Sequence, residues 1–107
     1  MYYSVTSSLA KRITSQGTYI RSSSISIKYL NDSEYRFSAV ISKKQGDAVE
    51  RNKVKRVIRE LMRSKKEIYP KGLFLIYYNG NCAEFNRRLV ECELDDIMKK
   101  ISKNKIH

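Results

Sequence analysis

The chain has no tryptophan, one proline, four glycines, two cysteines and one histidine in 107 residues. Each scarcity excludes something. The lone histidine is His107, the last residue, so no Ser/His/Asp or Cys/His set can be assembled around it. Cys82 and Cys92 stand ten residues apart with no histidine nearby, which is no zinc pattern. A disulfide between them is open but not implied, and a reduced, cytoplasmic chain is the simpler expectation. No apolar run approaches the roughly 20 residues that span a bilayer, and the N-terminus lacks the apolar stretch of a signal peptide. Acids are also scarce: 11 Asp and Glu face 22 Lys and Arg, for a formal net charge of +11. Asp95 and Asp96 are adjacent on an expected helix, so their side chains point apart, and Glu91 and Glu93 are no better placed for acid–base work. Neither a catalytic centre borne by the protein nor a tightly held metal is expected.

What is abundant is positive charge, and it is placed. Between Lys43 and Arg63 lie Lys43, Lys44, Arg51, Lys53, Lys55, Arg56, Arg59 and Arg63, against Asp47, Glu50 and Glu60. On a helix turning about 100° per residue, Arg51, Asn52, Lys55, Arg56, Arg59 and Arg63 share an arc of roughly 140°. Val54, Val57, Ile58 and Leu61 fall on the other side, within roughly 100°. Asp47 followed by Glu50 reads as an N-cap with its capping-box partner, so the helix is expected to start near Ala48. Too few acids sit at i±4 to neutralise the bases, and some bases crowd the positive end of the helix dipole. That arrangement is unfavourable for the isolated fold and favourable for a phosphate backbone. Gly46 is expected to allow a tight turn just before it.

A chain of this length forms one domain, here 1–107 with a tail from about 103 that is expected to be disordered. Residues 8–16 read as a helix ended by Gly17. In 24–30, Ile25, Ile27 and Tyr29 alternate with Ser24, Ser26 and Lys28, a half-buried strand. Residues 35–42 read as a second strand, pairing with the first as a hairpin across Asn31-Asp32-Ser33. The basic helix runs to about Lys66. Residues 73–78 are apolar on both parities, as in a central strand with both faces covered, so one of Tyr77 and Tyr78 faces each side. A last helix is expected from about Ala83 to Ser102, with Val90, Leu94, Ile97 and Ile101 on one stripe. The order α-β-β-α-β-α describes an α+β, or α/β, two-layer sandwich.

On these elements the chain resembles the protein subunit of bacterial ribonuclease P. That family carries the signature K-x-x-G-x-A-V-x-R-N-R-x-K-R-x-x-R. Read from Lys43, the spacing matches at Gly46, Ala48, Val49, Arg51, Asn52, Lys55, Arg56 and Arg59. Lys53 stands where the family has arginine, keeping the charge but losing the planar fork. The resemblance covers about residues 9 to 103. It implies a fold like the second domain of a small-subunit ribosomal protein, with a left-handed βαβ crossover against the usual rule. It also implies a heterodimer of protein and catalytic RNA that removes the 5′ leader from precursor tRNA. The RNA performs the cleavage with bound Mg²⁺, none of it held tightly by the protein alone, and the protein strengthens substrate and metal binding.

By that resemblance Lys43, Lys44, Arg51, Asn52, Lys53, Lys55, Arg56 and Arg59 would contact the catalytic RNA: Arg51, Lys55, Arg56 and Arg59 at phosphates, Lys43 and Lys44 at the helix N-terminus, and Asn52 at a sugar, a base edge or its own turn. A separate cleft between the first helix and the sheet would grip the single-stranded leader, which calls for aromatic faces and cations. Here the chain departs from its family: two aromatic positions usual in the first helix align with Ala10 and Thr14. Tyr19, Tyr29 and Phe37, with Lys11 and Arg12, are the cleft candidates, and Tyr2 and Tyr3 are further replacements. The competing reading is a ribosomal or general structured-RNA-binding protein, which would not need the signature at these offsets. A membrane partner is not expected, because the helix has no Trp or Phe on its apolar face.

Overall fold

The computed structural model describes residues 4–104. Helix α1 (Ser7–Gln16) opens where the Thr6 hydroxyl accepts from the Leu9 N–H at 3.3 Å. It closes where the Gly17 N–H donates to the Ile13 carbonyl at 2.8 Å. Strands β1 (Thr18–Arg21), β2 (Ile25–Leu30) and β3 (Tyr35–Val40) follow. A 3-10 turn at Lys43–Gln45 leads into helix α2 (Ala48–Ser64). Strand β4 (Gly72–Tyr78), a 3-10 turn at Cys82–Glu84 and helix α3 (Arg87–Asn104) complete the described chain.

The four strands form one sheet in the order β1-β2-β4-β3. β2 runs antiparallel to β1 and to β4, and β3 runs parallel to β4. The expected hairpin between residues 24–30 and 35–42 is therefore wrong, because β4 inserts between the two strands. β4 is apolar on both parities and gains most from two covered faces and two paired edges. β2 and β3, each carrying polar residues on alternate positions, flank it. The short β1 was not foreseen; four residues after a glycine give too little alternation to register.

Helices α2 and α3 cover one face of the sheet. Val54, Ile58, Leu61 and Met62 of α2 meet Val90, Leu94, Ile97, Met98 and Ile101 of α3 over Ile25, Ile27, Tyr29, Phe37, Phe74, Ile76 and Tyr78. Val57 is only half-buried at the edge of this core, and Met62 takes the place expected for it. On the other face α1 presses Ile13 against Leu73 and Leu75, with Leu9, Ala10, Leu30 and Tyr77 around them. Tyr77 and Tyr78 thus split between the faces as their parity requires.

α3 starts four residues later than expected. Asn81 caps the 3-10 turn at Cys82–Glu84, Phe85 is extended with its ring against Tyr78, and the Asn86 side chain accepts from the Leu89 N–H at 3.1 Å. Lys103 and Asn104, read as the start of a tail, continue α3, and residues 105–107 lie outside the described part, as do Tyr2 and Tyr3. No helix among the described residues is long and apolar enough to cross a membrane.

Candidate nucleic-acid interface

The N-terminus of α2 is built as its sequence demands. The Asp47 carboxylate accepts from the Glu50 N–H at 2.8 Å, and the Glu50 carboxylate accepts from the Asp47 N–H at 3.2 Å. The preceding turn has its own capping box between Ser42 and Gln45. The Gln45 amide also donates to the carbonyls of Tyr78 and Gly80, tying the turn that bears Lys43 and Lys44 to the end of β4. Gly46 serves close approach rather than turning: its backbone is extended, and a Cβ there would come within 2.9 Å of the Cys82 Cβ. The Arg51 guanidinium donates through Nε to the Gly46 carbonyl at 3.1 Å, and the residue is half-buried.

Asn52, Lys53, Arg56, Arg59 and Arg63 are exposed, and Lys55 is half-buried. Among the described residues none of the α2 bases, nor Lys43 or Lys44, forms an ion pair. Two acids of α3 instead pair with a lysine just beyond the end of α2. Lys65 Nζ lies 2.8 Å from both Glu91 and Asp95, and the Tyr69 hydroxyl donates to Asp95 at 2.6 Å. Burial alone would raise the Asp95 carboxyl, but the Lys65 and Tyr69 hydrogen bonds hold it below the usual carboxylate range. Burial, and then the hydrogen bond to Asp95 and its charge, push the Tyr69 hydroxyl well above its ordinary value. That network fastens the α2–β4 connection to α3. A groove of 790 Å³ beside it, lined by Ile68, Tyr69, Pro70 and Met98, lies apart from the basic face of α2.

A second polar surface lies on the α1 side of the sheet. Strand register sets Tyr19, Lys28, Leu75 and Ser38 in one row across all four strands, and Arg21, Ser26, Tyr77 and Val40 in the next. Paired residues point to one face, so both rows face the α1 side. α1 covers the leucines and leaves Tyr19 53% and Val40 39% exposed. Lys28 Nζ stands 5.8 Å from the Tyr77 ring centroid, a cation–π pair. Burial and the neighbouring Tyr19 both raise the Tyr77 hydroxyl. The surface offers aromatic rings, one of them with a lysine over its face, and further cations alongside, the chemistry that stacks bases and follows phosphates.

The family model described as Ribonuclease P matches residues 6–102, from the cap of α1 to the last turns of α3. The chain belongs to the ribonuclease P protein family. A ribonuclease P protein component from Finegoldia magna is 30% identical over 89 residues, covering 82% of this chain and 79% of that protein. One from Coprothermobacter proteolyticus is 32% identical over 65 residues, 61% of this chain and 55% of its relative. The match thus spans little more than half of that relative's length. The fold agrees with that of the Staphylococcus aureus RNase P protein, with a TM-score of 0.81 at 23% identity, covering 96% of this chain and 97% of that one. The Thermotoga maritima RNase P protein superposes with a TM-score of 0.76 at 24% identity, over 85% of this chain and 89% of that one.

The ribonuclease P signature from Lys43 to Arg59 lies on α2 and the turn before it, with Asn52, Lys53, Arg56 and Arg59 exposed. The cleft candidates divide. Tyr19 faces the α1 side, and Lys11 and Arg12 are exposed on α1. Tyr29 and Phe37 do not belong there: their parity turns them to the α2–α3 side, where they are 9% and 3% exposed within the main core. Tyr29 packs on Phe74 and donates its hydroxyl to the Lys71 carbonyl at 3.1 Å. Tyr77, Lys28, Ser38, Val40 and Arg21 were missed. The alternation of Lys28 against Ile27 and Tyr29 already placed Lys28 on the opposite face, and register against β4 supplies the rest.

Proposed function

We propose that this chain is the protein component of a ribonuclease P holoenzyme. The basic face of α2, with Lys43 and Lys44, docks on the catalytic RNA. Arg51, Lys55, Arg56 and Arg59 meet phosphates, and Asn52 meets a sugar or base edge. The open sheet face beside α1 holds the single-stranded 5′ leader of precursor tRNA. Tyr19 and Tyr77 stack bases there, and Lys28, Arg21, Lys11 and Arg12 follow the phosphates. The small Ala10 and Thr14 leave α1 without the family's aromatics, and the sheet tyrosines take over that role.

Cleavage is the work of the RNA and its Mg²⁺. Among the described residues no group of three His, Cys, Asp or Glu side chains is placed to hold a metal ion. The protein contributes cations that lower repulsion between leader and catalytic RNA, and by bringing both together it strengthens binding of substrate and Mg²⁺. The observation that carries this reading is the row of α2 bases without acid partners, set at the signature spacing in a chain of this family.

The test is cleavage of a precursor tRNA by a bacterial ribonuclease P RNA at low Mg²⁺, with and without the protein. Correct 5′ cleavage should be rescued by the protein and lost with Arg51, Arg56 and Arg59 all changed to Ala. Tight RNA binding without rescue would instead mark a general structured-RNA-binding protein.

A further inference from the structure

Among the described residues Glu93 is the buried carboxylate, 6% exposed on the inner face of α3. It reaches 69 residues back along the chain to the turn between β1 and β2. One carboxylate oxygen accepts from the Ser24 N–H at 2.8 Å and the Ile25 N–H at 3.3 Å, and the other accepts from the Ser24 hydroxyl. Burial would raise this carboxyl, but the hydrogen bonds from Ser24, Ser22 and Ile25 outweigh it and leave the group ionised and anchored. The neighbouring groups reinforce the turn: Ser22 N–H donates to the Ile25 carbonyl at 2.8 Å, and Asn79 N–H to the Ser24 carbonyl at 2.7 Å.

A buried ionised acid is costly unless it is hydrogen-bonded, and here the hydrogen-bond partners are all at one place. β1 is four residues long and pairs only with β2, so little else holds it. Its first end is fixed by Gly17, where a Cβ would meet the Ile13 carbonyl oxygen at 2.4 Å and the Tyr29 carbonyl oxygen at 2.9 Å. Its second end is fixed by the Glu93 clamp. Tyr19 and Arg21 lie between these two anchors, facing the α1 side.

We infer that Glu93 is a positioning residue for single-stranded RNA binding: by clamping the Ser22–Ser24 turn from the far side of the sheet, it sets the pose of Tyr19 and Arg21. The inference rests on the proposed leader site. Leu at this position removes both acceptors and leaves the Ser24 and Ile25 N–H groups unpaired. Gln instead keeps its amide oxygen for those N–H groups and its amide nitrogen for the Ser24 hydroxyl, which accepts as well as donates.

The experiment reads the gain in precursor-tRNA affinity on going from a one-nucleotide leader to a long one. It uses holoenzyme reconstituted with a bacterial ribonuclease P RNA. In the wild type, Tyr19→Ala should cut that gain on the order of tenfold, the loss of one stacked base. Glu93→Leu should cut it comparably, Glu93→Gln should cut it less, and adding Tyr19→Ala to Glu93→Leu should remove nothing more. Ser24→Ala, which leaves the backbone bonds to Glu93 in place, should show a smaller loss in the same direction. Affinity for the catalytic RNA, which uses α2, should stay within about twofold throughout. Full leader gain and full Tyr19 sensitivity in both Glu93→Leu and Ser24→Ala would overturn the inference. Equal loss of catalytic-RNA affinity would also overturn it, by making Glu93 a general scaffold residue. A wild type with no leader gain, or none that depends on Tyr19, would instead sink the leader site itself.

Discussion

The outward face of α2 and the open face of the sheet beside α1 are both polar, basic surfaces, yet they are assembled differently. Every α2 base comes from one run of chain and one helical period, with a cap at its start that fixes the phase. The sheet face takes Tyr19, Lys28, Tyr77 and Val40 from four strands spread over 59 residues, and only the register brings them together. A helix surface is local information. A sheet surface depends on which strands are neighbours, and a wrong neighbour misplaces the whole row.

The comparison is tested hardest at the buried side of α2. Ile58→Asp places a charge in a position of 0% exposure and should cost more than about 4 kcal/mol, enough to unfold the domain. A normal thermal transition in that variant would mean the two sides of the helix have been exchanged. Next is Arg51, Arg56 and Arg59 changed together to Ala, which should keep the fold. It should lower the slope of log affinity for the catalytic RNA against log salt by about three units, one per phosphate contact. An unchanged slope would remove the docking role of α2.

Tyr77→Ala should weaken binding of a long-leader precursor by about 1–3 kcal/mol relative to a one-nucleotide leader, measured by titration of holoenzyme. Phe37→Leu sharpens the contrast, since its ring lies in the core. It should lower stability by about 1–2 kcal/mol in urea and leave the leader dependence as it was. A specific loss of leader binding would return Phe37 to the cleft. The smallest effect is on pH. Glu93 and Asp95 both sit below their ordinary values in the fold. Their contribution is therefore complete above the unfolded carboxyl value of about 4 and fades as pH falls through the lower folded values. Melting temperature should fall on acidification below about pH 4, and less steeply in Glu93→Gln.

Much of the molecule was legible. The capping box at Asp47 and Glu50, the basic arc of α2, the both-faced apolarity of 73–78 and the stripe of α3 each follow from patterns within one element. What was not legible depends on partners. The expected hairpin failed because Asn31-Asp32-Ser33 signals a turn but not what lies beside it, and β4 arrives 40 residues later to fill the gap. Phe37 and Tyr29 were assigned to the cleft for being aromatic, though Tyr29 shares its parity with the buried Ile25 and Ile27. Glu93 gave no signal, because an acid on a helix reads as solvated until the turn that it clamps is known.

The place of β4 in the sheet also dictates an order of events. Neither β2 nor β3 has its inner neighbour until residues 72–78 exist, and those residues follow the basic helix in the chain. During synthesis, then, α2 emerges with its bases already free before the four-stranded sheet can close over its apolar stripe. Non-local pairing of this kind makes for slow folding and a sticky intermediate. A nascent chain in that condition already carries its exposed cations while its last strand is still missing, so the surface suited to RNA precedes the fold that is to hold it.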